Sequence, residues 1–205
     1  MESILENKEI VYHYDALIEE NNDPVLDLPV LQEYMDKWDG DKFIDYLHIT
    51  KDKSVLEIGV GTGRIAVKIV GLCKYFTGID ISSKTINRAH NHLNYDNVNL
   101  ICDDFLKYSF NSKYDVIYSS LTFMHFKDKI AVFNKIADLL CDGIFVLSID
   151  KNQEEYIEYG NRKIKIYPST KMEIIEQIKR SNLKLITLDE VEFAWIFVCK
   201  KKMEK

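Results

Sequence analysis

Chemistry is densest in the stretch Val55-Leu-Glu-Ile-Gly-Val-Gly-Thr-Gly-Arg64, where an apolar run ends in alternating glycines, Gly59, Gly61 and Gly63. Glycine removes side chains where a ligand must approach the backbone, and it accepts turns that other residues resist. A helix expected over Arg64–Leu72 would present free N–H groups and a positive dipole end there. Such an end favours a pyrophosphate, a carboxylate or a ribose hydroxyl. Gly61-Thr-Gly-Arg-Ile-Ala66 also satisfies the dinucleotide fingerprint, so the glycines by themselves leave two cofactor classes open.

Acids narrow the choice. Asp80 closes the run Thr77-Gly-Ile-Asp-Ile81, about twenty residues beyond the turn, where a carboxylate can accept two hydrogen bonds from a ribose diol. Both cofactor classes use an acid there. Glu57 lies just before the glycines, and Asp103 follows a third apolar run in Asn99-Leu-Ile-Cys-Asp-Asp-Phe105. Strand-end Asp residues also cap turns and helices, but that role does not account for three acids in register.

At these residues the sequence resembles the class I S-adenosylmethionine-dependent methyltransferases. Their pattern is an acid-x-G-x-G-x-G turn, an acid after strand two and an acid after strand three. The resemblance covers about residues 53–200. It implies S-adenosyl-L-methionine as cofactor, with the backbone at Gly59, Gly61 and Gly63 facing the methionine portion and ribose, and Asp80 holding the ribose hydroxyls. Asp103 would take the adenine amino group, because a carboxylate only accepts; Asp104 is its substitute. Phe105 or Ile81 would contact the ring, and Glu57, Arg64 and Ser119 complete the implied donor site.

The resemblance further implies an in-line displacement, with few catalytic residues needed beyond alignment and proton removal. His125, in Leu121-Thr-Phe-Met-His-Phe126, follows the fourth apolar run, where an acceptor would lie, and could act as a base. The alternative is an imidazole bonded to backbone and packed among Phe123, Met124 and Phe126. Tyr12, His13 and Tyr14 form a second candidate group, able to close over the site or simply to pack. Arg162, Lys163 and Lys165 alternate with apolar residues before Pro168, as in an extra strand near the acceptor, and could bind an acidic acceptor or be solvated. His90-Asn-His92 has no partners at metal-ligand spacing and reads as surface; no metal site is expected.

The formal charge of −6 leaves no excess of Lys and Arg for a run of phosphates, so nucleic acid is not the expected partner. After the fourth run stands Ser119-Ser-Leu-Thr, without the Asn-Pro-Pro-Tyr or Pro-Cys segments that mark methylation of DNA bases. A small-molecule acceptor is expected. Cys73, Cys102, Cys141 and Cys199 are scattered and read as reduced core thiols in a cytoplasmic protein. No run is long and apolar enough for a membrane span. The oligomeric expectation is a monomer or homodimer.

The elements that must position these residues are short apolar runs at Ser54–Ile58, Tyr75–Ile79, Val98–Cys102, Tyr114–Tyr118 and Gly143–Ile149. They alternate with helical spacing over Arg64–Leu72, Ser83–Leu93 and Lys127–Leu140. Helical crossovers force parallel pairing, so the expected fold is α/β: a three-layer Rossmann-like, seven-stranded, mostly parallel sheet with helices on both faces. Thr170-Lys-Met-Glu173 is a capping-box pattern opening a helix, and the runs Lys184–Val191 and Phe193–Cys199 predict an antiparallel C-terminal hairpin. Residues 1–50 carry helical patterns broken at Asn21–Pro24 and Pro29, expected as a cap on a 51–205 core within one domain. Two rival functions stay open: a nicotinamide-dependent (NAD(P)) oxidoreductase on the same sheet, and a non-catalytic donor-binding or partner protein.

Overall fold

The computed structural model describes residues 2–203, with side chains from Asn7 onward. Five strands, β1 (Ser54–Ile58), β2 (Tyr75–Asp80), β3 (Val98–Cys102), β4 (Tyr114–Ser120) and β5 (Leu140–Asp150), pair in parallel. β8 (Leu183–Glu190) and β9 (Ala194–Lys201) complete the sheet, in the order β3-β2-β1-β4-β5-β9-β8, with β9 antiparallel to both neighbours. A separate hairpin joins β6 (Tyr156–Tyr159) to β7 (Arg162–Lys165), realising the extra strand expected before Pro168.

The sheet is covered on both faces, which is why its central strands read as near-continuous apolar runs. Side chains alternate along β1: Leu56 and Ile58 enter a core with Phe133 and Ile136 of α6 (Lys129–Leu139) and Ile174 and Ile178 of α7 (Lys171–Arg180). Val55 enters the opposite core with Ile86 and Ala89 of α5 (Ser83–His92) and Phe43 and Leu47 of α3 (Gly40–Leu47). The capping box forms as expected: Thr170 Oγ1 accepts from Glu173 N, and the Glu173 carboxylate accepts from Thr170 N.

Two expectations are corrected here. The helix after the glycines, α4, spans only Ala66–Ile69. Positive φ at Gly61 and Gly63 (57° and 102°) holds the chain in turns until Ile65, and one helical turn supplies little dipole. Cys102 and Cys141 are exposed, leaving only Cys73 and Cys199 in the core; Cys102 closes β3, an edge strand.

The first fifty residues form α1 (Glu2–Glu19), α2 (Pro29–Met35) and α3. Pro29 starts a helix here, its missing N–H falling where no intrahelical partner exists. Among the described residues no helix is long and apolar enough to cross a membrane.

Candidate active site

Strand order reverses between β1 and β4, and in an open α/β sheet the crevice at such a switch point is the place for a ligand. A cavity of about 650 Å³ opens there. The turn after β1, the ends of β2 and β3, and the loop after β4 form its floor, and Asn7, Ile10 and Tyr14 of α1 roof it. Of the expected donor residues, Glu57, Gly59, Gly61, Arg64, Asp80, Ile81, Asp103, Asp104 and Phe105 all line it.

The glycines divide by what they face. A Cβ on Gly59 would come within 2.0 Å of Thr122 Oγ1, and one on Gly63 within 2.9 Å of Leu93 Cδ1, so both are needed for protein packing. Gly61 has open space around its missing Cβ. It is the one of the three that leaves room for a ligand. The loop after β4 presses on Gly59 through Thr122, and the preceding Leu121 adopts φ 56°, a strained value for a side-chain-bearing residue.

Asp80 accepts from Gly61 N (3.1 Å) and Ser82 N (3.0 Å), one bond to each carboxylate oxygen, leaving acceptor capacity on both. Burial raises its pKa, opposed by these backbone donors. Asp103 uses one oxygen on Asp104 N (2.7 Å). Asp104 is more committed: it accepts from Leu106 N (2.9 Å) and from Asn7 Nδ2 (3.0 Å), tying α1 to the loop after β3. Glu57 is buried and accepts from Tyr118 Oη (2.8 Å); burial pushes its carboxyl up to about 8 despite that bond and the nearby Arg64.

Gly63, Ser119 and Tyr12 do not reach the cavity as expected, and His92 is less exposed than the surface reading has it. Ser119 points into the sheet, where its hydroxyl donates to Ile58 O (2.8 Å); strand alternation turns Ser120 to the cavity instead. Tyr12 is 68% exposed, because two residues along a helix face nearly opposite sides, and it borders only a smaller surface pocket beside β7. His92 is half-buried, its Nε2 2.8 Å from Asp23, so it anchors the Asn21–Pro24 turn to α5, while His90 is exposed.

Tyr14 and His125 do come together, with Tyr14 Oη 2.8 Å from His125 Nε2. Burial, then His13 and Lys129, lowers the imidazole to about 4, so it is neutral at pH 7. Burial and the charge of Asp80 raise the Tyr14 phenol. His125 Nδ1 is buried without a hydrogen-bond partner.

One residue that braces the site is not marked in the sequence. Asp39, 2% exposed, caps α3 through Gly40 N (2.7 Å), accepts from Ser120 Oγ (2.8 Å), and pairs with both terminal nitrogens of Arg64. Arg64 therefore serves as a strut between the glycine turn and the α2–α3 junction, with Asp36 also at 3.5 Å. No local pattern marks Asp39, since its partners lie 25 and 81 residues away.

A family model described as a methyltransferase domain matches residues 55–143, less than half of the chain. Over those residues the chain is similar to methyltransferase domains. The glycine turn, Asp80 and Asp103 all fall within the matched residues. A curated relative, malonyl-[acyl-carrier protein] O-methyltransferase 1 of Ilyobacter polytropus, is 27% identical over 165 residues, 74% of this chain. The chain spans 60% of that relative's length. In structure, the DhpI-SAH complex matches with TM-score 0.78 at 17% identity, covering 97% of this chain and 98% of that one. An S-adenosylmethionine-dependent methyltransferase from Clostridium acetobutylicum matches with TM-score 0.65 at 15% identity, covering 96% and 99%. The chain shares the Rossmann-like fold of these solved structures.

Proposed function

We propose that the chain transfers a methyl group from S-adenosyl-L-methionine to a small-molecule acceptor by in-line displacement. The observation that carries this is one continuous cavity, with Gly61, Asp80 and Asp103 on the floor and the Tyr14–His125 pair also lining it. The donor supplies a methyl already activated on a sulfonium, so the chain's residues need mainly to bind, align and exclude water.

The residues present fit that donor. Gly61 leaves space for its close approach, and Glu57 offers a buried carboxyl to an ammonium. Asp80 keeps a lone pair on each oxygen for two hydroxyls, and Asp103 keeps an oxygen for an amino group. Asp104, bonded to Asn7 and Leu106, holds the roof in place and leaves the adenine role to Asp103. Phe105 and Ile81 supply the apolar wall. Residues 1–50 act as the cap, with α1 excluding water. His125, neutral and bonded to Tyr14, orients an acceptor; an imidazole lowered to about 4 is a weak base.

An oxygen acceptor on a small acid is the preferred chemistry, in keeping with the O-methyltransferase name of the Ilyobacter relative. The test is transfer of labelled methyl from S-adenosyl-L-methionine to a panel of small oxygen, nitrogen and sulfur acceptors. Label appearing in a small product supports the proposal. Donor binding with no transfer to any acceptor favours the non-catalytic reading.

A further inference from the structure

Three lysines converge on Tyr167, whose residue forms part of the cavity wall. Lys127 and Lys165 bring their ammonium groups to 5.9 and 5.8 Å from the centre of its ring. Lys129 Nζ donates to the Tyr167 carbonyl at 2.6 Å and to the Phe126 carbonyl at 3.0 Å. Among the described residues none of the three is in an ion pair, whereas Arg162 and Lys163 on the same hairpin are paired with Glu20 and Glu158.

Two nearby acids are engaged elsewhere. Asp128 lines the cavity but caps α6, accepting from Ala131 N at 3.0 Å. Glu173 closes the capping box with Thr170. Lys129 is only 4% exposed, and burial lowers its pKa to about 8, so it is charged at pH 7 in a setting where an ammonium is costly without a counter-ion. In a chain of net charge −6, this concentration of positive charge lies beside the cavity, whose wall includes Lys127, Tyr167 and the apolar Met124 and Phe126.

We propose that the methyl acceptor is an organic anion whose acid group is held by Lys127 and Lys165 beside Tyr167, with Lys129 charged behind it and Met124 and Phe126 against its apolar part. This rests on the donor reading above. Carboxylates and phosphonates share the chemistry that these ammonium groups recognise.

The test uses the full chain saturated with S-adenosylhomocysteine, whose own binding is measured first. Malonate, benzoate and methylphosphonate are then titrated at constant ionic strength against malonamide and benzamide as neutral counterparts. At least one acid is expected to bind about 10-fold or more tightly than the amides. Which acids bind separates carboxylate from phosphonate acceptors. Lys127→Met and Lys165→Met, both at exposed positions, should each weaken the acid by about 3- to 10-fold, leave S-adenosylhomocysteine binding unchanged, and be rescued by Lys127→Arg and Lys165→Arg. Acids binding no better than amides, or unaffected by both Met variants, would overturn the anion assignment while the donor reading stands. Failure to bind S-adenosylhomocysteine would overturn both.

Discussion

Tyr14 Oη and His125 Nε2, 2.8 Å apart, join the roof of the cavity to the loop after β4. The pair ties α1 to the cavity wall, and its imidazole has been driven to about 4 chiefly by burial. A His whose folded pKa is depressed leaves the unfolded chain binding more protons below about 6.5, so its contribution to stability falls as pH drops from there towards 4.

Between pH 7 and pH 5 this one group should therefore cost about 2 kcal/mol of folding stability. Urea denaturation at the two pH values measures it, and His125→Gln should remove that part of the acid sensitivity. An unchanged pH dependence in the folded variant contradicts the assigned environment.

The glycines should respond differently to the same substitution. Gly59→Ala places a methyl at 2.0 Å from Thr122 Oγ1 on a backbone at φ 77°, so a large loss of stability is expected, on the order of 3 kcal/mol. Gly61→Ala meets no protein atom and should cost only the left-handed backbone strain, about 1–2 kcal/mol, yet weaken donor binding severely. Thermal melts and donor titrations on the two variants separate the roles; equal donor affinity in Gly61→Ala and the parent chain contradicts the account.

Asp39 holds Arg64 against the junction of α2 and α3, so Asp39→Ala leaves a guanidinium nearly buried without its main partner. The expected loss is about 3 kcal/mol by urea denaturation. Arg64→Met in the same background should recover part of it, because the stranded charge is then gone. No recovery would mean that the cap and Ser120 bonds dominate.

Much of this cavity's lining is legible in the sequence. Buried parallel strands announce themselves as apolar runs, and the acids at their ends follow from strand direction, so Asp80 and Asp103 could be found by register. What was not legible depends on single-residue geometry or distant partners. Ser119 and Ser120 are equivalent by composition, and only the pleat decides which one faces the cavity. The helix within Arg64–Leu72 is shorter than its apolar spacing predicts, because that spacing says nothing of the left-handed turns at Gly61 and Gly63. Asp39, Asp23 and Lys129 gain their roles from partners far along the chain or from backbone carbonyls, which leave no trace in local sequence.

Glu57 should release a proton when the donor binds. Burial has raised its carboxyl to about 8, so it is mostly protonated at pH 7, and the folding stability tied to that proton is lost as pH rises through 8. An ammonium placed against it restores the carboxylate. Calorimetry at pH 7 in buffers of different ionisation enthalpy should show roughly one proton released per donor bound, falling towards none at pH 9 and absent in Glu57→Gln. A heat independent of buffer at pH 7 contradicts this role.

The central claim is tested most directly by calorimetric titration of the chain with S-adenosylhomocysteine and, in parallel, with a nicotinamide dinucleotide. The expected result is saturable one-to-one binding of the first and none of the second. Asp80→Ala should weaken that binding by about 1–3 kcal/mol, roughly 5- to 150-fold, in a chain that still folds. Saturable dinucleotide binding with no response to S-adenosylhomocysteine, or full affinity in folded Asp80→Ala, would contradict it.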